Sequence, residues 1–231
     1  MKIFLVRHGN TFGDDQASGE HIFLCGSQSN IPLVRKGREQ ARMMAQYLDV
    51  MDVIPTALYA NHLIRVWEHA VLIREYFYYR HQITIPIYLD EQLIELDYGH
   101  WAGLVVKGQG DNQIITQFGQ KAWDDWQLRR IMPTDPVHGW KMTCTEIVSK
   151  VKSFFEMLKT RHQVKDVIVA IGSQGSLGFV NELFEGGMGL AVAEDRFKIK
   201  TGNFSEISYD QNGFQLVNWN QDPWQIIQEM S

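Results

Sequence analysis

Apolar residues along the chain follow two rhythms: short unbroken runs, and longer stretches in which they recur every three or four positions. Ile3 to Val6 is an unbroken run, and its lack of alternation predicts a strand buried on both faces. A polar loop rich in Gly, Ser, Asp, Asn and Gln spans 12–34. KGREQARMMAQYL then puts Ala41, Met44 and Leu48 on one side of a predicted helix. Leu58-Tyr59-Ala60 predicts a strand, and Leu63, Val66, Trp67, Ala70, Val71 and Phe77 line one face of a helix from about 62 to 79. ITIPIYL at 83–89 predicts another strand, with Pro86 favouring an edge or a strand end.

The regularity lapses between about 95 and 142, where two short helices are expected, the second being KAWDDWQLRR. Thr143-Cys144-Thr145-Glu146 has the spacing of a capping box, and Ile147, Val151, Phe154, Phe155 and Leu158 follow at helical intervals. VIVAI at 167–171 predicts a central buried strand, followed by a helix near 176–185. Asn212-Gly213 between alternating runs predicts a hairpin. Gly186-Gly187-Met188-Gly189 lacks the Lys and Ser/Thr of a phosphate-binding Walker loop and is expected to be a flexible connection.

These elements predict an α/β fold, a three-layer α/β/α sandwich with a mainly parallel sheet. It is expected to form one domain over 1–231 with an insertion at about 100–142. Ligands of such sheets collect at the carboxyl ends of strands. Arg7-His8 and Gly172-Ser173-Gln174-Gly175 both lie at such ends.

Composition narrows the partners. The chain has 231 residues, 45% hydrophobic and 21% charged, which is ordinary for a folded protein. Its formal charge of −5 argues against nucleic acid or an anionic membrane as partner, so an anionic substrate would need a local cluster of Arg and His. Two cysteines, no signal-peptide pattern and no long apolar span lead to the expectation of a cytoplasmic protein, with a homodimer compatible. No metal-binding pattern of His, Cys and carboxylates appears, and no cofactor is expected.

The candidate chemistry sits in KIFLVRHGNT. Gly9 lets the backbone approach closely and Thr11 offers a hydroxyl, so the loop surrounds one small volume that suits a phosphoryl group. A cation beside a histidine disfavours the imidazolium and keeps His8 nucleophilic. The same Arg7 can hold phosphate oxygens in a bidentate fork, and guanidinium groups then supply the charge that a metal would. The product of that route is a phosphohistidine.

Five stretches in order resemble the histidine phosphatase superfamily, the phosphoglycerate-mutase-like group. LVRHGNT is similar to its opening motif, with Asn10 where Glu or Gln is usual. NIPLVRKGREQA at 30–41 resembles DxPLTxxGxxQA. ANHLIRVWEHA at 60–70 resembles SSxLxRAxxTA and matches Arg65 to the second phosphate-binding arginine. LIELDYGHWAG at 93–103 resembles LxExxxGxWEG and matches Glu95 to the proton donor of the leaving oxygen. The closing stretch TGNFSEISYDQNGFQLVNWN is similar to the family's last strands. The resemblance implies that His8 is the phosphoacceptor, that Arg7 and Arg65 form the clamp, that Glu95 is general acid and base, and that Asn10, Thr11, Ser173 and Gly175 line the phosphate site.

The family's second histidine, in an SHG motif after a central strand, is absent. VIVAIGSQGSLGF puts Gln174 at that position, or Ser173 under a one-residue shift. A neutral amide there costs about 2–4 kcal/mol of transition-state stabilisation. His62 and His100 are candidates for a replacement cation. Asp14 stands where the family has Asn, Ala60-Asn61 replaces its Ser-Ser pair, and Lys141-Met142-Thr143 replaces its Gly-Glu-Ser. Trp101, Trp123, Trp126 and Trp140, with Arg129-Arg130, mark the insertion as an aromatic mini-core that also favours a substrate with an organic body. Two readings follow. One is a metal-independent phosphomonoester hydrolase acting on a small organic phosphate; the other is an impaired or inactive phosphate-binding regulatory module of the same fold. An intermolecular mutase fits the altered polar positions least.

Overall fold

A computed structural model describes residues 1–12, 22–107 and 110–230. Asp14 lies outside them. Four parallel strands form the heart of the molecule: β1 (Lys2–Arg7), β3 (Ala57–Ala60), β4 (Ile87–Leu89) and β6 (Val167–Gly172). Two antiparallel strands, β7 (Phe204–Asp210) and β8 (Gly213–Gln221), complete a sheet of order β4-β3-β6-β1-β7-β8. A separate two-stranded ribbon pairs β2 (Ile22–Phe23) with β5 (Val105–Lys107).

The unbroken apolar run of β1 explains the layering. Alternate side chains point to opposite faces of a strand, so Ile3 and Leu5 enter one core while Phe4 and Val6 enter the other. On the Phe4 side pack α1 (Arg35–Val50), α2 (Ile64–His81) and α8 (Pro223–Met230). On the Ile3 side packs α5 (Cys144–Arg161), through Ile147, Val151, Phe154, Phe155 and Leu158. The result is the expected three-layer α/β/α sandwich. Helix α5 starts where its capping box predicts: Thr143 N–H donates to Glu146 Oε2 at 2.7 Å and Glu146 N–H donates to Thr143 Oγ1 at 3.3 Å. No helix among the described residues is long and apolar enough to cross a membrane.

Four boundaries differ from expectation. The strand at 83–89 is confined to Ile87–Leu89, because Pro86 has no N–H for the ladder. The helix near 176–185 begins earlier, as α6 (Gln174–Leu177), and continues as a 3-10 turn over Gly178–Leu183. The glycine-rich stretch does not remain a loop: Gly187–Ala193 is helical, α7, after Gly186 turns the chain at φ +79°. Helix α8 is an addition that the apolar pattern does not announce. The 100–142 segment holds α3 (Gln113–Phe118) and α4 (Gln120–Arg129), the two short helices expected there.

Candidate active site

The register of the sheet brings the separated motifs together. β1 and β6 run parallel with Arg7 opposite Gly172, and His8 N–H donates to Gly172 O at 3.1 Å. The chain leaving β3 enters α2 with Arg65 in its first turn, and the chain leaving β4 leads to Glu95. One cavity of about 610 Å³ is lined by Arg7, His8, Arg65, Glu95 and Gln174. Thr11 and Asn10 share its wall, the latter with its Oδ1 accepting from Thr201 Oγ1.

His8 is 6% exposed and its proton is placed by its neighbours. Nδ1–H donates to Gly9 O at 2.8 Å, while Nε2 accepts from Arg65 Nε–H at 3.2 Å. The lone pair therefore lies on Nε2, beside the guanidinium. Burial first, then the Arg65 and Arg7 charges, hold the ring's pKa well below the ordinary histidine value. A neutral imidazole with its lone pair aimed at a cationic pocket is the protonation state that attack on phosphorus requires.

Both arginines are anchored by main-chain carbonyls. Arg7 Nη1 donates to Ile199 O at 2.9 Å, and Arg65 donates to Ser29 O and, at 3.4 Å, to Gly26 O. Carbonyl anchoring fixes orientation without neutralising the charge, so both remain free to meet an anion. Burial lowers the pKa of each, which leaves a guanidinium charged all the same.

Glu95 is buried at 6% exposure, with Oε1 accepting from Leu96 N–H at 2.9 Å and from Tyr98 OH at 3.2 Å. Burial and the Glu95 charge raise the phenol pKa of Tyr98 well above its usual value, so it stays a donor. Gly175 does not line the cavity. Its part is steric: a Cβ there would overlap Glu95 Oε1 and lie 2.6 Å from the Tyr98 oxygen. Gly9 has a similar part, because a Cβ would collide with the backbone of Gly37 at the start of α1.

Three expected residues stand elsewhere. His62 is a surface residue whose Nδ1 pairs with Glu91 Oε2 at 2.8 Å, so that partner draws it away from the cavity. His100 is likewise exposed, its Nδ1–H directed to Val137 O at 2.9 Å. Ser173 lies at the start of α6 with a fully buried Oγ that has no partner, and it is not part of the cavity wall. Gln174 is at the wall, yet its amide is engaged with backbone. Its Oε1 accepts from Ile199 N–H at 2.8 Å and its Nε2 donates to Phe197 O at 3.0 Å.

Several residues of the site do not stand out from sequence. His69 is wholly buried, and its Nδ1 accepts Gly9 N–H at 3.1 Å, tying the His8 loop to α2; burial pushes its pKa down to about 3. It lies four residues after Arg65, one helical turn along the same face, and that spacing is the signal that could have found it. Lys107, Arg130, Lys198 and Lys200 also reach the cavity, so among the described residues six cations, with Arg7 and Arg65, face the one carboxylate of Glu95. In a chain of net charge −5, the described lining of this cavity is thus predominantly cationic. The indoles of the 100–142 segment form the expected mini-core, with Trp101 and Trp126 buried and Trp140 edge-on to both, at 5.3 and 4.9 Å between centroids. Trp126 and Trp123 also face the cavity. Among the described residues no group of three or more His, Cys, Asp or Glu side chains is placed to hold a metal ion.

Comparison with known proteins is consistent with this geometry. The model of the histidine phosphatase superfamily (branch 1) matches residues 3–222. No curated protein matches the chain. Among solved structures, the alpha-ribazole phosphatase from Shigella flexneri is similar over 96% of this chain and 97% of its own, at TM-score 0.67 and 21% identity. The mycobacterial glucosyl-3-phosphoglycerate phosphatase aligns over 96% and 99% at TM-score 0.73 and 16% identity. A phosphoserine phosphatase variant from Entamoeba histolytica, in complex with phosphoserine, aligns over 96% and 97% at TM-score 0.67 and 16% identity. At these identities the likeness is one of fold.

Proposed function

The chain belongs to the histidine phosphatase superfamily, and from that premise we propose that it hydrolyses a phosphomonoester of a small organic molecule through a phosphohistidine at His8. The observation that carries this reading is the convergence of a neutral imidazole, two carbonyl-anchored guanidiniums and a buried carboxyl group on one cavity. His8 Nε2 attacks phosphorus as the ester P–O bond breaks, and the leaving oxygen takes the proton of Glu95. Water then attacks the phosphorus of phosphohistidine, gives its proton back to Glu95, and the P–N bond breaks to release phosphate. Arg7 and Arg65 hold the phosphoryl oxygens in line and offset the charge that grows on them, so the route needs no metal ion. The organic part of the substrate would rest against Phe12, Phe23, Trp123 and Trp126, all of which face the cavity. The phosphatases named among the structural neighbours agree with such a substrate class.

One observation favours a second reading. The amide of Gln174 is tied to backbone where the family resemblance calls for an imidazolium, and this suits a module that binds a phosphorylated ligand without turning it over. Hydrolysis of p-nitrophenyl phosphate in the presence of a chelator separates the two. We expect turnover by the native protein and a loss of at least about 1,000-fold in His8→Ala, together with an acid-labile phosphoryl adduct that the variant does not form. Turnover that survives His8→Ala removes the phosphohistidine; phosphate binding without any turnover selects the binding module.

A further inference from the structure

Phosphoryl transfer gathers negative charge on three equatorial oxygens, so a clamp is effective when cations approach from more than one side. In this chain one side is neutral, because Gln174 occupies the position of the expected imidazolium. Arg130, just past the end of α4, stands next to that gap. A Cβ built on Gly178 would lie 3.6 Å from Gln174 Nε2 and 3.8 Å from Arg130 Nε, so the amide and the guanidinium both border the same bare glycine.

The two consecutive arginines of the insertion are used in opposite ways. Arg129 points to solvent and donates Nη1–H to Asp125 at 2.8 Å, a surface pair within its own helix. Arg130 takes a left-handed backbone at φ +56° and turns its side chain inward to 6% exposure. A non-glycine residue in that region is uncommon, and such residues gather at functional sites. Inside, the guanidinium stacks over Trp126 at 4.4 Å and Phe197 at 5.0 Å, and its Nε is buried without a hydrogen-bond partner. Burying a guanidinium is costly unless something anionic meets it. Glu95, shared with Arg7 and Arg65, is the carboxylate whose field opposes that cost. Arg130 lines the cavity that contains His8, and a bound phosphoryl group would complete its hydrogen bonding.

We propose that Arg130 is a third guanidinium of the phosphoryl clamp, supplying in the transition state the charge that Gln174 lacks. The proposal rests on the phosphohistidine reading above. Gln174 then acts as a positioning residue for two clamps at once: it fixes Phe197, on which Arg130 lies, and Ile199, whose carbonyl holds Arg7.

The test uses the full chain with p-nitrophenyl phosphate turnover and calorimetric binding of orthovanadate, a mimic of the transferring phosphoryl group. Arg130→Met retains an unbranched side chain against Trp126 and Phe197 but no charge. We expect it to lower kcat about 100-fold and to weaken vanadate binding by a similar factor, with a smaller effect on KM. Arg130→Lys should recover at least about tenfold of that loss, and added guanidinium should raise kcat of Arg130→Ala, whereas a purely packing role would answer to neither. Kcat and vanadate affinity within about twofold of native in Arg130→Met overturn the proposal, as does a loss that neither lysine nor guanidinium relieves. Vanadate affinity that falls in Arg130→Met although the native protein shows no turnover retains the clamp and overturns the phosphohistidine; turnover abolished by His8→Ala but untouched by Arg130→Met does the reverse.

Discussion

The cavity has two walls built on different physics. On the sheet rim, His8, Arg7, Arg65 and Glu95 are held by hydrogen bonds to main chain and by glycines that admit them closely. On the other wall, Trp126 and Arg130 are held by ring packing, against Trp140 of the same segment and against Tyr98 and Phe197 beyond it. The difference teaches where each wall is vulnerable. A rim substitution should damage rate more than stability, and a substitution among the indoles should do the converse.

The largest expected effect tests the aromatic wall. Trp126→Ala removes a wholly buried indole that packs against Tyr98 and Trp140 and should cost about 3–5 kcal/mol in denaturant unfolding. An unfolding free energy within about 1 kcal/mol of native would show that this wall does not depend on its rings. On the rim, Gly175→Ala places a methyl group where Glu95 Oε1 sits. We expect about 100-fold lower kcat on an aryl phosphate, with His8 still titrating as in the native protein; unchanged kcat would dissociate Glu95 from the proton transfer.

The next effect separates the walls by pH. Both His8 and His69 are buried neutral, with pKa values below the ordinary 6.5, and His69 is at about 3. As pH falls below 6.5 the unfolded chain binds protons that the folded rings refuse, so stability declines from there toward about 3. The slope is up to about 1.4 kcal/mol per pH unit for each ring. His69→Gln should make the decline shallower, while Trp126→Phe should leave it unaltered. Because attack needs the neutral ring, the acid limb of kcat/KM should lie below pH 6.5 as well; an acid limb at or above 6.5 would contradict the burial of His8. The smallest effect belongs to neither wall. Thr143→Ala removes the capping box of α5 and should cost about 1 kcal/mol of stability with kcat unchanged, which calibrates the assay against a change remote from the chemistry.

The same contrast explains which parts of the site are legible in the amino-acid sequence. Rim residues lie beside strongly patterned strands, so Ile3 to Val6 announces where Arg7 and His8 must emerge, and the spacing of Leu63, Val66 and Ala70 marks the helix whose first turn carries Arg65. Motif order does the rest for Glu95. Arg130 leaves no such trace, because its inward turn depends on a positive φ after a short helix in an irregular segment, and nothing in Arg129-Arg130 says which of the two is buried. Gln174 is legible as a departure from the family but not as a brace, since its partners Phe197 and Ile199 are more than twenty residues away. His62 misleads for the opposite reason: proximity to Arg65 in sequence stands in for proximity in space, and the N-terminal turn of α2 sends it to Glu91.

The contact of Gly9 with Gly37 has one more outcome. Two main chains pressed together without intervening side chains cannot slide apart cheaply, so the His8 loop and the first turn of α1 should move as a single piece. Any breathing that admits an ester or discharges an alcohol then falls to the indole side. A fluorophore carried on α4 should register that traffic, and one on α1 should stay silent.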